Sequence, residues 1–360
     1  MSASLVGSPI LPESIRSRRP TKKTLSLKSM ATCVENSRTE TPRKPNSSFE
    51  ADRQDDSLSQ FVKFSRPSFS DLLSCSPSKP QTLISQDSET PSPYLDEIWM
   101  EIRKQADRDA EEEPVLSGYY HSAILSHDCL ESALAFHLGS KLSTPSLPST
   151  TLSEVFLSAF MADQTIRIAI REDLKAVKER DAACISYVQC LLNFKGFLAA
   201  QAHRAAHHLW ENGRLSLALV IQNRVSETFA VDIHPNAKIG LGFLMDHATG
   251  VVIGETAIIG DNVSLLHNVT LGGTGKDSGN RHPKIGDGVL VGAGTCILGN
   301  VKIGEGAKIG AGSVVLKEVP AKTTAVGNPA RLIGGKDNPV KMTKMPSFTM
   351  DHTSWSDYVI

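Results

Sequence analysis

No apolar run in this sequence approaches the ~18 residues of a membrane-spanning helix, so no span is expected. Charge of neither sign dominates: 38 Lys and Arg stand against 39 Asp and Glu, which removes the electrostatic case for a nucleic-acid partner. Cysteine is sparse, and none of the six forms a CxxC pair or a metal-ligand spacing. Cys33, Cys75, Cys129, Cys184, Cys190 and Cys296 are therefore expected to be reduced, intracellular thiols. At 360 residues the chain still exceeds one typical domain and has length enough for a large core.

What the sequence does have is a period of six between residues 233 and 315. Aliphatics recur at Ile233, Ile239, Ile253, Ile259, Leu265, Leu271, Ile285, Val291, Ile297, Ile303, Ile309 and Val315, and glycine often follows them. A small or β-branched residue comes four positions after most of them, as at Val263, Val289, Thr295 and Ser313. Six fits neither a helix nor a hairpin ladder, and hexapeptide repeats signal a parallel β-helix. Three repeats would complete one coil of a triangular prism, with roughly five coils stacked at ~4.8 Å. The glycine after each aliphatic is expected to supply unusual backbone angles at the corners. Two steps of fourteen, 239 to 253 and 271 to 285, each read as twelve plus a two-residue insertion. Insertions on a rigid solenoid tend to carry function. The first holds Asp246 and His247, the second Arg281 and His282.

Five segments carry a family resemblance: DIHPNAKIG (232–240), DHATGVVIGETA (246–257), LGGTGK (271–276), RHPKIG (281–286) and GNPARLIG (327–334). Together they resemble serine acetyltransferases, from about residue 95 to the end of the chain, and the ending Trp355-Ser356-Asp357-Tyr358-Val359-Ile360 resembles that of the plant type. The resemblance implies that the prism is left-handed, against the usual right-handed crossover, a hand the period alone does not fix. The expected fold class is thus α+β, an all-helical domain followed by a left-handed parallel β-helix and a flexible tail.

Residues 1–90 are rich in Ser, Thr and Pro, and up to residue 45 they carry nine Lys and Arg against three Glu. Such a segment buries too little apolar surface to fold alone and reads as a transit peptide or a plain disordered leader, with Met30 as an alternative start. Residues 91–230 read as helical: Leu95, Ile98, Trp99, Ile102 and Ala106 form one stripe, Ile166, Ile170, Leu174 and Val177 a second, and Phe194, Leu198, Ala202, Ala205 and Leu209 a third. Thr151-Leu152-Ser153-Glu154 reads as a capping box opening a helix. His203, His207 and His208 are expected to be packed or solvated rather than metal-bound. The prism is expected over 231–334 and a mobile tail over 335–360.

Acetyl transfer to a hydroxyl needs a base, a group to orient it, a grip on the acceptor and room for the acyl donor. Imidazole, with a pKa near ~6.5, suits the first task, which favours His247 with Asp232 as its orienting carboxylate. Both match the catalytic pair that the resemblance implies. In the same way Asp181 and Asp246 match the residues holding the ammonium and hydroxyl end of serine, while Arg281 and His282 match the clamp on its carboxylate. The chain departs from the family pattern beside these ligands, at Ala182 and Asn280.

No permanent cofactor is implied; acetyl-CoA is the co-substrate, lying between neighbouring prisms of a trimer against Gly272, Gly273, Ala293, Gly294, Ala311, Gly312, Pro329, Ala330 and Arg331. LGGTGK lacks the spacing of a P-loop. The resemblance further implies homotrimers pairing into hexamers and feedback inhibition by L-cysteine. It also implies capture of the terminal Ile360 by O-acetylserine sulfhydrylase, and a plastid, mitochondrial or cytosolic location. Three other readings remain open on the residues alone: an acetyltransferase for homoserine, a sugar or a xenobiotic, a zinc hydratase using His234, His247, His267 and His282, or a purely structural solenoid.

Overall fold

The structure, a computed structural model, describes residues 96–275 and 278–351, all within one compact unit. The leader, Lys276 and Ile360 lie outside the described residues. Eight helices come first among them: α1 (Glu97–Glu112), α2 (Ser117–Tyr120), α3 (Leu130–Leu142), α4 (Ser149–Ala162), α5 (Gln164–Arg180), α6 (Tyr187–Asn193), α7 (Lys195–Glu211) and α8 (Leu215–Phe229). The three stripes read from the sequence bury Trp99, Ile102 and Ala106 on α1, Ile166, Ile170, Leu174 and Val177 on α5, and Leu198, Ala202, Ala205 and Leu209 on α7. The capping box does not form. Helix α4 starts earlier, at Ser149 behind Pro148, with no side-chain cap, so Thr151 already lies inside the first turn.

After α8 the chain turns through Ala230, held in the left-handed region at φ 56°, into a parallel β-solenoid. Its strands stack in three sheets, and the aliphatic series sorts among them by register. Ile233, Ile253, Leu271, Ile297 and Val315 stack on the first face. Ile239, Ile259, Ile285 and Ile303 stack on the second, and Met245, Leu265, Val291, Ile309 and Ala325 on the third. Parallel pairing of identical positions puts each aliphatic on the one below, which closes a dry core without long side chains.

This register corrects the two insertions. Between Ile239 and Ile253 lies a full strand, Leu244–Met245, so the two extra residues fall in the corner from Asp246 to Gly250. Leu271 and Ile285 instead occupy successive faces, so the second step is fourteen where six is normal and the loop is eight residues longer, not two. A gap of fourteen does not reveal whether it hides a strand; only the pairing does.

The role expected for the glycines also changes. Those right after the aliphatics do not take positive φ; they lie under the next coil, against its backbone at Gly286, Gly292 and Gly304 and against its side chains at Gly254 and Gly310. A Cβ on Gly304 would fall 2.3 Å from the nitrogen of Ala321. The left-handed residues come two positions later, as at Gly306 (φ 60°).

The helices dock on the first coils through buried charge. Asp173, fully buried, accepts hydrogen bonds from Gln201, from Arg204 and from the backbone N–H of Phe243. Arg204 donates in turn to the carbonyls of Ile239 and Gly240, and Arg180 to the carbonyl of Gly242 and to Asn262. His203 and His207 donate to the carbonyls of Ala237 and Pro235, so both are packing histidines of this joint.

The segment from 335, expected to run free, is held as far as Asp351. Met342 N–H donates to the carbonyl of Lys322, α9 (Pro346–Thr349) buries Pro346 and Ser347, and Arg180 lies 4.7 Å over the ring of Phe348.

Candidate active site

The corner from Asp246 to Gly250 is built by backbone. Asp246 N–H donates to the carbonyl of Leu265 below, Gly250 N–H to that of Ala230 beside it. His247 and Ala248 both sit at positive φ, 56° and 58°, a costly conformation for residues with a Cβ and one found at functional turns. Helix α7 braces the corner: Gly196 lies so close to the carbonyl of Met245 that a Cβ would meet it at 2.1 Å. The imidazole of His247 is thereby pushed outward, with its side chain 76 % exposed. Its Nε2 is 3.7 Å from Asp246 Oδ1, and its ring stands edge to face with that of His267 at 5.9 Å.

Asp232 lies in the adjoining strand, Val231–Ile233, whose Val231 pairs with Val251 just past the corner. No hydrogen bond joins it to His247 among the described residues. Its Oδ1 accepts from the Nε2 of Gln222 on α8, at 2.7 Å.

Arg281 and His282 sit at a different corner, between the first and second faces, at the end of the long loop. Arg281 pairs with Glu255 at 2.8 Å. His282, 6 % exposed, is knitted in by Thr256. Its Nδ1 accepts the Thr256 backbone N–H, and the Thr256 hydroxyl oxygen accepts the backbone N–H groups of Arg281 and His282. An Nδ1 that accepts leaves Nε2 as the protonated nitrogen of a neutral ring, and burial lowers the pKa of His282, helped by the charge of Arg281. Glycine makes this possible, since a Cβ on Gly254 would fall 2.0 Å from that ring.

Asp181 caps α5, its Oδ1 accepting from Ala183 N–H; no hydrogen bond or ion pair among the described residues links it to either corner. The small residues divide as well. Gly273 lies beside Arg281 and His282, with Gly272 before it under Leu298, whereas Ala293, Gly294, Ala311 and Gly312 lie on the His247 edge in the coils beyond His267. Gly294 N–H donates to the carbonyl of His267 and Gly312 N–H to that of Ala293. Pro329, Ala330 and Arg331 close the far end, where Ala330 N–H meets the carbonyl of Val314.

Two family models match: "Serine acetyltransferase, N-terminal" over 98–202 and "Bacterial transferase hexapeptide (six repeats)" over 282–317. "Serine acetyltransferase 1, chloroplastic" of Arabidopsis thaliana is 65% identical over 269 residues, 74% of this chain and 86% of its own length. The chain belongs to the serine acetyltransferase family. The soybean serine acetyltransferase complexed with serine is similar at 64% identity and a TM-score of 0.64, covering 66% of this chain and 97% of that one. A serine acetyltransferase solved in complex with cysteine gives 46% identity and a TM-score of 0.69 over 73% and 99%.

Gln222, Glu255 and Thr256 were not picked out from the sequence, and His267, weighed there only as a metal ligand, stands instead against the ring of His247. Glu255 and Thr256 lie inside the recognised DHATGVVIGETA segment, so the segment itself held the signal. For Gln222 no local pattern exists; only the turn at Ala230 brings it to Asp232.

Proposed function

We propose that the chain transfers the acetyl group of acetyl-CoA to the hydroxyl of L-serine, giving O-acetyl-L-serine and CoA. His247 takes the hydroxyl proton as the oxygen attacks the thioester carbonyl, and Asp232 holds the ring and stabilises the imidazolium. The tetrahedral intermediate collapses with loss of the CoA thiolate, which takes the proton from the His247 imidazolium and restores the neutral base. Asp246 and Asp181 hold the ammonium and hydroxyl end of serine, and Arg281 with His282 clamp its carboxylate.

One observation carries this reading: an outward imidazole on an edge that, beyond His267 in the next coil, continues with Ala293, Gly294, Ala311 and Gly312, a smooth track for a long thioester arm. The serine clamp stands at another corner of the same prism, so a complete site needs a second copy to bring the two corners together. That requirement supports a trimer built through the prisms, with hexamers formed by pairing.

Incubation of the purified chain with acetyl-CoA and, in turn, serine, homoserine and a sugar tests it by release of free thiol. Serine-dependent release is expected. Turnover with a sugar and none with serine would replace it by the alternative acceptor reading.

L-Cysteine shares the ammonium and carboxylate of serine and is expected to inhibit competitively. Capture of Ile360 by O-acetylserine sulfhydrylase and import by residues 1–90 belong to the same reading; both rest on residues outside those described. Relatives named chloroplastic and mitochondrial are 65% and 55% identical to the chain, which supports an organelle; the plastid is the location proposed, and a reporter fused to residues 1–90 distinguishes it from the mitochondrion and the cytosol.

A further inference from the structure

Asp232 is half-buried in the strand Val231–Ile233, with Val231 and Ile233 on either side buried in the core. Strand alternation therefore turns its carboxylate outward, beside the corner that carries His247. Left alone, a carboxylate on a strand of three residues rotates about two side-chain bonds, and an orienting group that rotates orients poorly. Helix α8 removes this freedom. The left-handed turn at Ala230 folds α8 back over the strand, so Gln222, ten residues earlier, reaches Asp232 with its Nε2 2.7 Å from Oδ1. Among the described residues, Gln222 is the hydrogen-bond partner of that carboxylate.

The chemistry of the partner matters. A lysine or arginine there would also fix the carboxylate but would cancel the charge that an imidazolium needs. A glutamate would repel it. A neutral amide donates one N–H, fixes the plane, and leaves both the negative charge and the lone pairs of Oδ2 for a ring N–H.

We propose that Gln222 is a positioning residue for acetyl transfer: through its amide it holds Asp232 so that Oδ2 meets the imidazole of His247. The inference rests on the role given above to Asp232, and the test separates the two. Turnover is measured for Gln222→Met, of matching length and without a donor, for Gln222→Glu, for Asp232→Asn, and for Gln222→Met combined with Asp232→Asn, with thermal midpoints alongside.

One hydrogen bond to a charged group corresponds to about 10- to 100-fold in rate, so Gln222→Met is expected to lose kcat by that factor while KM for serine and for acetyl-CoA stays within about twofold. Gln222→Glu is expected to be slower still. In the Asp232→Asn background the Gln222→Met change is expected to cost less than about threefold, because nothing remains to be held. Wild-type turnover in Gln222→Met or Gln222→Glu beside a slow Asp232→Asn overturns the proposal and leaves the reading of Asp232 intact. So does an equal loss in both backgrounds, or a loss that tracks a lowered thermal midpoint. Wild-type turnover in Asp232→Asn removes the reading of Asp232 and the proposal with it.

Discussion

The helices bury large side chains such as Phe156, Phe160 and Leu174, while the prism stacks the aliphatic of each hexapeptide on its counterpart in the next coil. In the first half specificity lies in shape; in the second it lies in register, and backbone meets backbone at the glycines. The chemistry follows the same division. The prism supplies rigid corners that expose His247 and hold His282, and the helices supply long side chains that reach onto it: Asp173 through Arg204, Arg180, and Gln222. The joint between the halves buries the Asp173–Arg204 ion pair, and substitution there is expected to cost most.

Asp173→Ala breaks that joint hardest, because it strands the guanidinium of Arg204, only 8 % exposed, without its carboxylate. A loss of about 3–5 kcal/mol is expected in chemical denaturation. If both halves unfold independently of the joint, the variant will instead melt close to wild type.

Glycine sharpens the comparison. Gly304→Ala forces a Cβ into the backbone of Ala321 and is expected to destabilise by about 1–3 kcal/mol. Gly118→Ala on α2, where the added Cβ meets nothing within 4 Å, is expected to be neutral or to stabilise by up to about 1 kcal/mol. Equal effects would mean that coil stacking sets no special limit.

These contrasts also explain what the sequence made legible. Strand positions were readable because stacked coils demand one aliphatic every six residues, and the site corners because the motifs surrounding them are long. The eight extra residues before Ile285 were not, since spacing cannot count strands inside a gap. The left-handed residues were placed two positions too early because glycine serves close approach at Gly304 and positive φ at Gly306. Thr151 looked like a cap only because Pro148 had already started the helix. Gln222, and the strap from 335 to 351, depend on contacts between distant stretches, which no local pattern encodes.

Acid is the mildest probe of the joint. Burial among His207, Arg204 and His234 lowers the pKa of His203 to about 3. Below the unfolded value of ~6.5 the unfolded chain binds a proton that the native ring refuses, so this contribution is complete above pH ~6.5 and falls as pH drops toward 3. Between pH 7 and 5.5 this amounts to about 1 kcal/mol. His203→Gln, which keeps a donor for the carbonyl of Ala237, is expected to flatten that slope relative to wild type; an unchanged slope would place the titration elsewhere.

If the outward imidazole at the first prism corner is the base for acetyl transfer to serine, the single-turnover and steady-state rates of His247→Ala will show it. With circular dichroism and oligomer size unchanged, kcat is expected to fall by about 10²- to 10⁴-fold while acetyl-CoA still binds. A folded His247→Ala enzyme that acetylates serine at the wild-type rate would contradict the account.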